Sequence, residues 1–462
     1  MMQLSEAAVP LSARLQGADV RFRGVSTDTR TLQPDNLFVA LRGEHHDGHR
    51  FMAAAVGAGA AAALVDTEGA GAVPSALPAL VVDDTRLALG RLGAYWRNRF
   101  AIPLVGLTGS SGKTTVKEML ASILREAASS VVGHDAAGEA VLATRGNLNN
   151  DIGMPLMLLE LSAAHRYAAI EMGMNHAGEI RYLTQIARPD VALVTNAGTA
   201  HIEYLGSEEA IAQAKGEIFE GLAAEGTAVI NADDRFANLW REAAADRPRI
   251  EFALERPAAV KGTYRLHELD SEVVITTPVG QASTRVKASG VHNVRNALAA
   301  AAAAIALDIP LDVIATGLAS YAGIKGRLQR KPGLNGALLI DDTYNANPES
   351  VRAAIDVLAS LSSAKVLVFG DMGELGAEAP RLHTEIGAYA KAAGIDRLMT
   401  LGEHSSRSAH AFGRGARHYG AIEDLLSDLR TAAAPGLTVL VKGSRFMRME
   451  RVIAALQASG AK

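Results

Sequence analysis

Residues 106–115, Gly-Leu-Thr-Gly-Ser-Ser-Gly-Lys-Thr-Thr, set three glycines, a lysine and adjacent threonines between an apolar run and a helix-forming one. Such a loop curls so that backbone N–H groups converge on phosphate oxygens, and the positive end of the following helix adds to the field. Lys113 would supply a point charge to the β and γ phosphates, Thr114 a hydroxyl to Mg²⁺, and Thr108, Gly109, Ser110, Ser111, Gly112 and Thr115 the rest of the nucleotide contact. The Gly-x4-Gly-Lys spacing would need glycine at 107, where Leu107 stands, so the loop is expected to turn at Gly106 and Gly109.

A triphosphate site also needs groups for metal and base. Glu171 ends the apolar run 168–171, where an α/β sheet presents ligand groups; it suits magnesium and equally suits a solvated strand end. His201 follows the next such run, 191–195, and a lone loop histidine is often structural. Lys215 stands among Glu208, Glu209, Glu217 and Glu220, which by composition describes a solvated charged face. Asn293 and Asn296 share one face of a helix headed by Gly290-Val-His292; their amides suit a purine edge, and Asn293 also suits a helix cap. His45, His46 and His49 are not expected to hold zinc, because adjacent histidines point apart in extended chain.

These residues need elements to hold them. Short apolar runs at 36–41, 62–65 and 79–82, with helices at 52–61 and 85–99, form a small α/β unit. From about residue 101, strands at 103–108, 168–171, 191–195 and 227–231 alternate with helices such as 116–127, the rhythm of a doubly wound parallel sheet. Alternating runs at 272–276 and 283–288 predict a small antiparallel insertion, followed by a helix at 293–306. Strands at 337–341, 365–369, 397–401 and 438–442 make a further α/β unit. The expected domains are 1–100, 101–325 and 326–462, in keeping with 462 residues at ~150 per domain.

Composition excludes several classes. At 48% hydrophobic and 21% charged residues the chain is not disordered, and a formal charge of -4 lacks the basic excess of a general nucleic-acid binder. The absence of cysteine removes disulfides, thiolate metal sites and cysteine nucleophiles. The first fifteen residues have no basic, apolar and cleavage-site order, and apolar runs such as 297–307 fall short of the ~20 residues a bilayer needs. A cytoplasmic protein without a membrane span is expected.

Taken in order, Thr108-Gly-Ser-Ser-Gly-Lys-Thr-Thr115, Asn149-Asn-Asp-Ile-Gly-Met-Pro155, Glu171-Met-Gly-Met-Asn-His176, His201-Ile-Glu203, Lys215, His292-Asn-Val-Arg-Asn296, Gly326-Arg327 and Asp342 resemble the Mur ligases of peptidoglycan synthesis over essentially the whole chain. These enzymes join an amino acid or peptide to a UDP-linked precursor using ATP. The resemblance implies a small N-terminal UDP-binding domain, a central parallel-sheet ATPase domain and a C-terminal Rossmann-like domain. It implies ATP with two Mg²⁺ ions held by Thr114, Glu171, His201 and a carbamylated Lys215. It also implies Arg327 on the γ phosphate, Asp342 on ribose, and His292, Asn293 and Asn296 among the ATP contacts. Lys113, Lys215, Arg327 and His201 are the implied catalytic groups.

Ser26-Thr-Asp-Thr-Arg30 and Gly43-Glu-His-His-Asp-Gly-His49 look like the UDP-binding domain of the two later-acting members, which puts Ser26, Asp28, Arg30, Glu44, Asp47 and, from the later motif, Asn149 at the UDP substrate. The runs 341–348, 369–376 and 440–445 look most like the branch that adds D-alanyl-D-alanine to UDP-N-acetylmuramoyl-tripeptide through an acyl phosphate, as a monomer. The sister that adds a diamino acid usually carries Asp-Asn-Pro-Arg, which is absent here. Outside that branch stand a nucleotide-dependent switch, disfavoured by the absence of an Asn-Lys-x-Asp guanine motif, and a ligase extending folate with glutamate. His383, Asp371 and Ser444 suit an acceptor pocket and equally suit plain structural roles.

Overall fold

The computed structural model describes residues 1–268 and 270–458 and is an α/β protein built on three main sheets. The first is five-stranded: Gly24–Ser26, Asn36–Val39, Ala62–Asp66 and Ala79–Val82 run parallel, and Arg14–Gln16 closes one edge antiparallel. A two-stranded ribbon, Met2–Gln3 with Arg21–Phe22, lies beside it.

The central sheet has nine strands. Its parallel part runs Val141–Ala143, Tyr167–Glu171, Leu104–Thr108, Val191–Val194, Thr227–Asn231, Arg249–Ala253 and Val260–Leu266. Ser271–Thr277 and Gly280–Val286 then continue it antiparallel, so the expected insertion is a ribbon hydrogen-bonded to the edge of the main sheet. All five residues of Leu104–Thr108 are buried, as a parallel strand covered on both faces must be. Along it, Val105 and Leu107 join one core and Leu104 the opposite one, the period-2 alternation of a strand.

Helices Lys113–Val132 and Val291–Ile305 cover the first face. In the second of these, Ala299 to Ala304 are buried, and their small side chains bring the helix close to the sheet. Helices Glu179–Ala187, Glu208–Gly216 and Ala237–Ala244 cover the other face, with Trp240 fully buried and its indole N–H donating to Ala212 O at 2.9 Å.

The third sheet runs Gln329–Pro332, Leu338–Asp342, Leu437–Lys442, Ala364–Gly370, Arg397–Leu401 and Ala416–Tyr419, parallel except for its first strand, with a core on each face. No helix among the described residues is long and apolar enough to cross a membrane.

One glycine governs how the helix of the phosphate-binding loop is buttressed. A Cβ at Gly317, on helix Leu311–Ser320, would lie 2.4 Å from Ile123 Cα on Lys113–Val132. Gly317→Val is therefore expected to lower stability by about 1–3 kcal/mol through overpacking. In urea unfolding followed by tryptophan fluorescence, Gly57→Ala, where a Cβ meets nothing within 4 Å, serves as the neutral control.

Candidate active site

The loop between Leu104–Thr108 and helix Lys113–Val132 turns at Gly109, with φ 154°, and Gly112, with φ 82°. A Cβ would meet Thr195 Oγ1 at 1.8 Å in the first case and Asn296 Oδ1 at 2.4 Å in the second. Gly106, expected as a turn, instead lies inside the strand against Met172 and Pro189. The turn thus falls one glycine later, which restores a tight Gly-Lys entry to the helix. The end of the neighbouring strand moulds the loop: Ser111 N donates to Asn196 Oδ1 at 2.9 Å, Ser110 N to Asn196 O at 3.0 Å, and Thr195 Oγ1 to Ser111 O at 2.8 Å.

Charged groups from separate elements gather around this loop. Lys113 Nζ donates to Gly109 O at 2.6 Å, and burial holds its pKa below the ordinary lysine value, with Arg327 pushing the same way and Glu171 opposing. Glu171 is buried at the end of Tyr167–Glu171; Asn149 Nδ2 donates to its Oε1 at 2.8 Å, while its Oε2 has no hydrogen-bond partner. Arg327, from beyond the central sheet, donates to Thr114 Oγ1 at 2.9 Å and stacks 4.5 Å from the Tyr344 ring centroid, its Nε also buried without a partner.

His201 sits in the left-handed region, φ 68°, with Nδ1 2.8 Å from Glu374 Oε2, an ion-pair contact off hydrogen-bond alignment. That histidine holds the Glu374 carboxyl below its usual range. Lys215 is 1% exposed, so the solvated face suggested by composition is not what forms. Among the described residues it has no salt bridge, and burial, reinforced by Lys113, lowers its pKa well below the ordinary value. Glu217 is buried too, accepting from Gly178 N and Arg181 N at the start of Glu179–Ala187.

A cavity of 1710 Å³ collects Ser110 to Thr115, Glu171, His201, His292, Asn293, Asn296, Arg327 and Asp342 on its walls. His292 there is held at a pKa of about 4 by burial, aided by Lys442 and Arg295, so its ring is neutral near pH 7. Asn293 Nδ2 donates to Ser289 O at 2.8 Å, and Asn296 backs Gly112. Asp342 accepts from Lys442 Nζ at 2.6 Å; burial outweighs that partner and raises its pKa. Thr108 lies behind the loop, and Lys215 lies behind the wall near Lys113.

A second cavity, of 1140 Å³, is lined by Ser26 and Asp28 with Arg21, Arg23, Arg99 and Arg145. Loop 145–150 contributes Arg145 and Leu148 to it, and Asn147, Asn149 and Asn150 to the larger one. Asn149, grouped by sequence with the UDP contacts, is thus beside Glu171 instead. Arg30 is bound to the Asp28 carboxylate and does not itself line this cavity. Glu44 and Asp47 reach neither cavity; Asp47 holds His49 Nδ1 at 2.6 Å, and His49 Nε2 accepts from Asp66 N.

The acceptor candidates fall to structural roles. His383 accepts from Met372 N and bonds Ala379 O, Asp371 accepts from His404 N and Ser405 N, and Ser444 bridges Gly373 N and Ala346 O. Sequence reasoning did not reach Glu349, and it met Asn196, Asn347 and Glu374 only within motifs. Asn347 offered the clearest local signal, standing before Pro348 as a helix cap would.

Three family profiles match the chain: Mur ligase family, catalytic domain, over residues 21–97; Mur ligase middle domain, over 107–304; and Mur ligase, glutamate ligase domain, over 326–445. The chain is 42% identical to the UDP-N-acetylmuramoyl-tripeptide--D-alanyl-D-alanine ligase of Escherichia coli (strain K12), covering 99% of this chain and 98% of that one. It is 35% identical to the enzyme of that name from Bacillus subtilis (strain 168), over 93% of this chain and 92% of that one. Among solved structures it is similar to MurF from Acinetobacter baumannii, with a TM-score of 0.88 at 37% identity and 97% coverage of both chains. It is also similar to MurF ligase from Thermotoga maritima in complex with ADP, with a TM-score of 0.81 at 27% identity over 94% and 96%. With a phosphate-binding loop, a buried acid and an arginine from beyond the central sheet meeting in one cleft, and matches running the length of the chain, this protein belongs to the Mur ligase family.

Proposed function

We propose that the chain is an ATP-dependent ligase that joins D-alanyl-D-alanine to UDP-N-acetylmuramoyl-tripeptide in peptidoglycan precursor synthesis, releasing ADP and phosphate. The observation that carries this reading is the Arg327 guanidinium on the Thr114 hydroxyl at 2.9 Å, which closes one cleft from two lobes. Curated enzymes to which the chain is similar over its length bear that activity in their names.

A carboxylate is a poor electrophile, so an oxygen of the tripeptide's terminal carboxylate takes the γ-phosphoryl group as the bond to the β-phosphate oxygen breaks, giving an acyl phosphate and ADP. The dipeptide amine then adds to the acyl carbon, loses a proton, and expels phosphate as the C–N bond forms. Such transfers depend on positioning and charge neutralisation. Lys113 and Arg327 meet the transferring group; the charge of an incoming phosphate offsets the burial that depresses Lys113. Neutral His292, with Asn293 and Asn296, lines the wall assigned to the nucleoside, and Asp342, held by Lys442, is assigned to ribose.

Magnesium fits Thr114, Glu171 and His201, since a buried carboxylate oxygen there lacks a partner; it would screen the repulsion between phosphate and carboxylate. Burial of Lys215 favours its neutral amine, the form that adds to CO₂ to give a carbamate and a proton, and a carbamate there would turn this lysine into an anionic ligand. The uridine diphosphate is assigned to the smaller cavity with Ser26 and Asp28, where Arg21, Arg23 and Arg99 face its phosphates. One chain supplies every wall, and the enzyme is assigned as a cytoplasmic monomer.

Phosphate release is expected only when ATP, the UDP-muramoyl tripeptide and D-alanyl-D-alanine are all present, and turnover indifferent to the dipeptide would overturn the assignment. Lys215→Ala should cut kcat on the order of 10³-fold, with ATP affinity by calorimetry within about threefold of the parent. Below the ordinary lysine pKa of 10.5 and above the depressed folded value, the unfolded chain binds a proton at Lys215 that the folded chain does not. That residue's contribution therefore makes stability rise with pH through the window, and Lys215→Met should flatten the rise in urea titrations across pH.

A further inference from the structure

Helix Pro348–Ala359 of the third lobe begins on the two loops that carry the chemistry. Its cap, Asn347, uses both ends of one amide: Oδ1 accepts from Ser350 N at 2.8 Å and caps the helix, and Nδ2 donates to Ser111 Oγ at 3.0 Å. Ser111 stands two residues before Lys113, and its own N–H is held by Asn196. Two residues into the helix, Glu349 Oε1 accepts from Thr199 N and from Thr199 Oγ1, each at 3.0 Å. Thr199 stands two residues before His201. A Cβ at Gly198 would lie 2.9 Å from Glu349 Cδ, so the carboxylate seats against a surface that only glycine leaves open. A capping side chain normally satisfies its own helix and nothing else. Here one helical turn reaches across the lobes to both loops.

We propose that Asn347 and Glu349 are positioning residues which couple docking of the third lobe to the geometry of the phosphate-binding loop and the His201 loop. The inference rests on the ligase reading for its turnover assay, and on nucleotide-linked compaction for an assay independent of it. Asn347→Ser keeps a capping oxygen and withdraws the amide that reaches Ser111, and Glu349→Gln keeps shape while removing the charge that holds Thr199.

Each variant is expected to lose at least tenfold in kcat, with KM for ATP within about threefold and an unchanged urea midpoint. In the Ser111→Ala with Asn347→Ser cycle, the double variant should cost no more than the larger single change. Small-angle scattering with a non-hydrolysable ATP analogue should show less compaction in both variants than in the parent. Additive effects in the cycle, a kcat loss smaller than tenfold, or a kcat loss that tracks a lowered urea midpoint would overturn the coupling. A parent enzyme that fails to turn over with the dipeptide would overturn the ligase reading alone, and the scattering comparison then decides the coupling: equal compaction refutes it and reduced compaction upholds it.

Discussion

Lys113 and Arg327 bring basic groups within reach of each other's fields in a cleft where Glu171 and Glu374 are the opposing carboxylates that bear on Lys113, and Lys215, behind the wall, lies within the field of Lys113. Cations crowded out of water repel and lose hydration, and both lysines respond with lowered pKa values. A polyanion brought to Lys113 and Arg327 offsets the hydration those groups have lost. Binding a triphosphate there is favourable because the protein has already met the cost of gathering the charges.

That arrangement needs a rigid base and a movable partner. The base is the central parallel sheet, whose two apolar faces are sealed by helices, so that Lys113, Glu171 and the 195–201 segment emerge together at the carboxyl ends of adjacent strands. The partner is the third lobe, which touches the base near the site through one apolar side chain, Ile202, packed against its core, and through polar contacts: Arg327 with Thr114, Asn347 with Ser111, Glu349 with Thr199, and Glu374 with His201. Polar contacts of this kind are exchangeable for water, and lobes joined by them move relative to one another more readily than lobes sharing an apolar core. A cleft that can open admits a large nucleotide-linked substrate, and one that closes shields a reactive acyl phosphate from hydrolysis.

Much of this was legible in the residues themselves. Period-2 and unbroken apolar runs marked the buried strands, including 79–82, 227–231 and 397–401 at their observed bounds, because full burial leaves a strong compositional trace. Short or polar edge strands such as Arg14–Gln16, Gln329–Pro332 and Ala416–Tyr419 left none and were not anticipated. The nucleotide loop was visible because its glycines, lysine and threonine act through local backbone geometry. Even so, it turned at Gly109 and Gly112 where Gly106 and Gly109 were expected, since a strand neighbour decides where the strand ends.

The sequence by itself determined what is local: which runs must be buried, which loop curls around phosphate, and which residue types are available for metal, base and phosphoryl chemistry. Only the tertiary structure decided what depends on distant partners. Lys215 and Glu217 lie in an acidic stretch that composition describes as solvated, and packing against other elements buries both. Asn149 joins Glu171 rather than the smaller cavity, and His383, Asp371 and Ser444 are consumed by backbone groups of their own lobe. Burial and pairing arise from contacts between residues as far apart as 111 and 347, and nothing in the nearest neighbours of either encodes that approach.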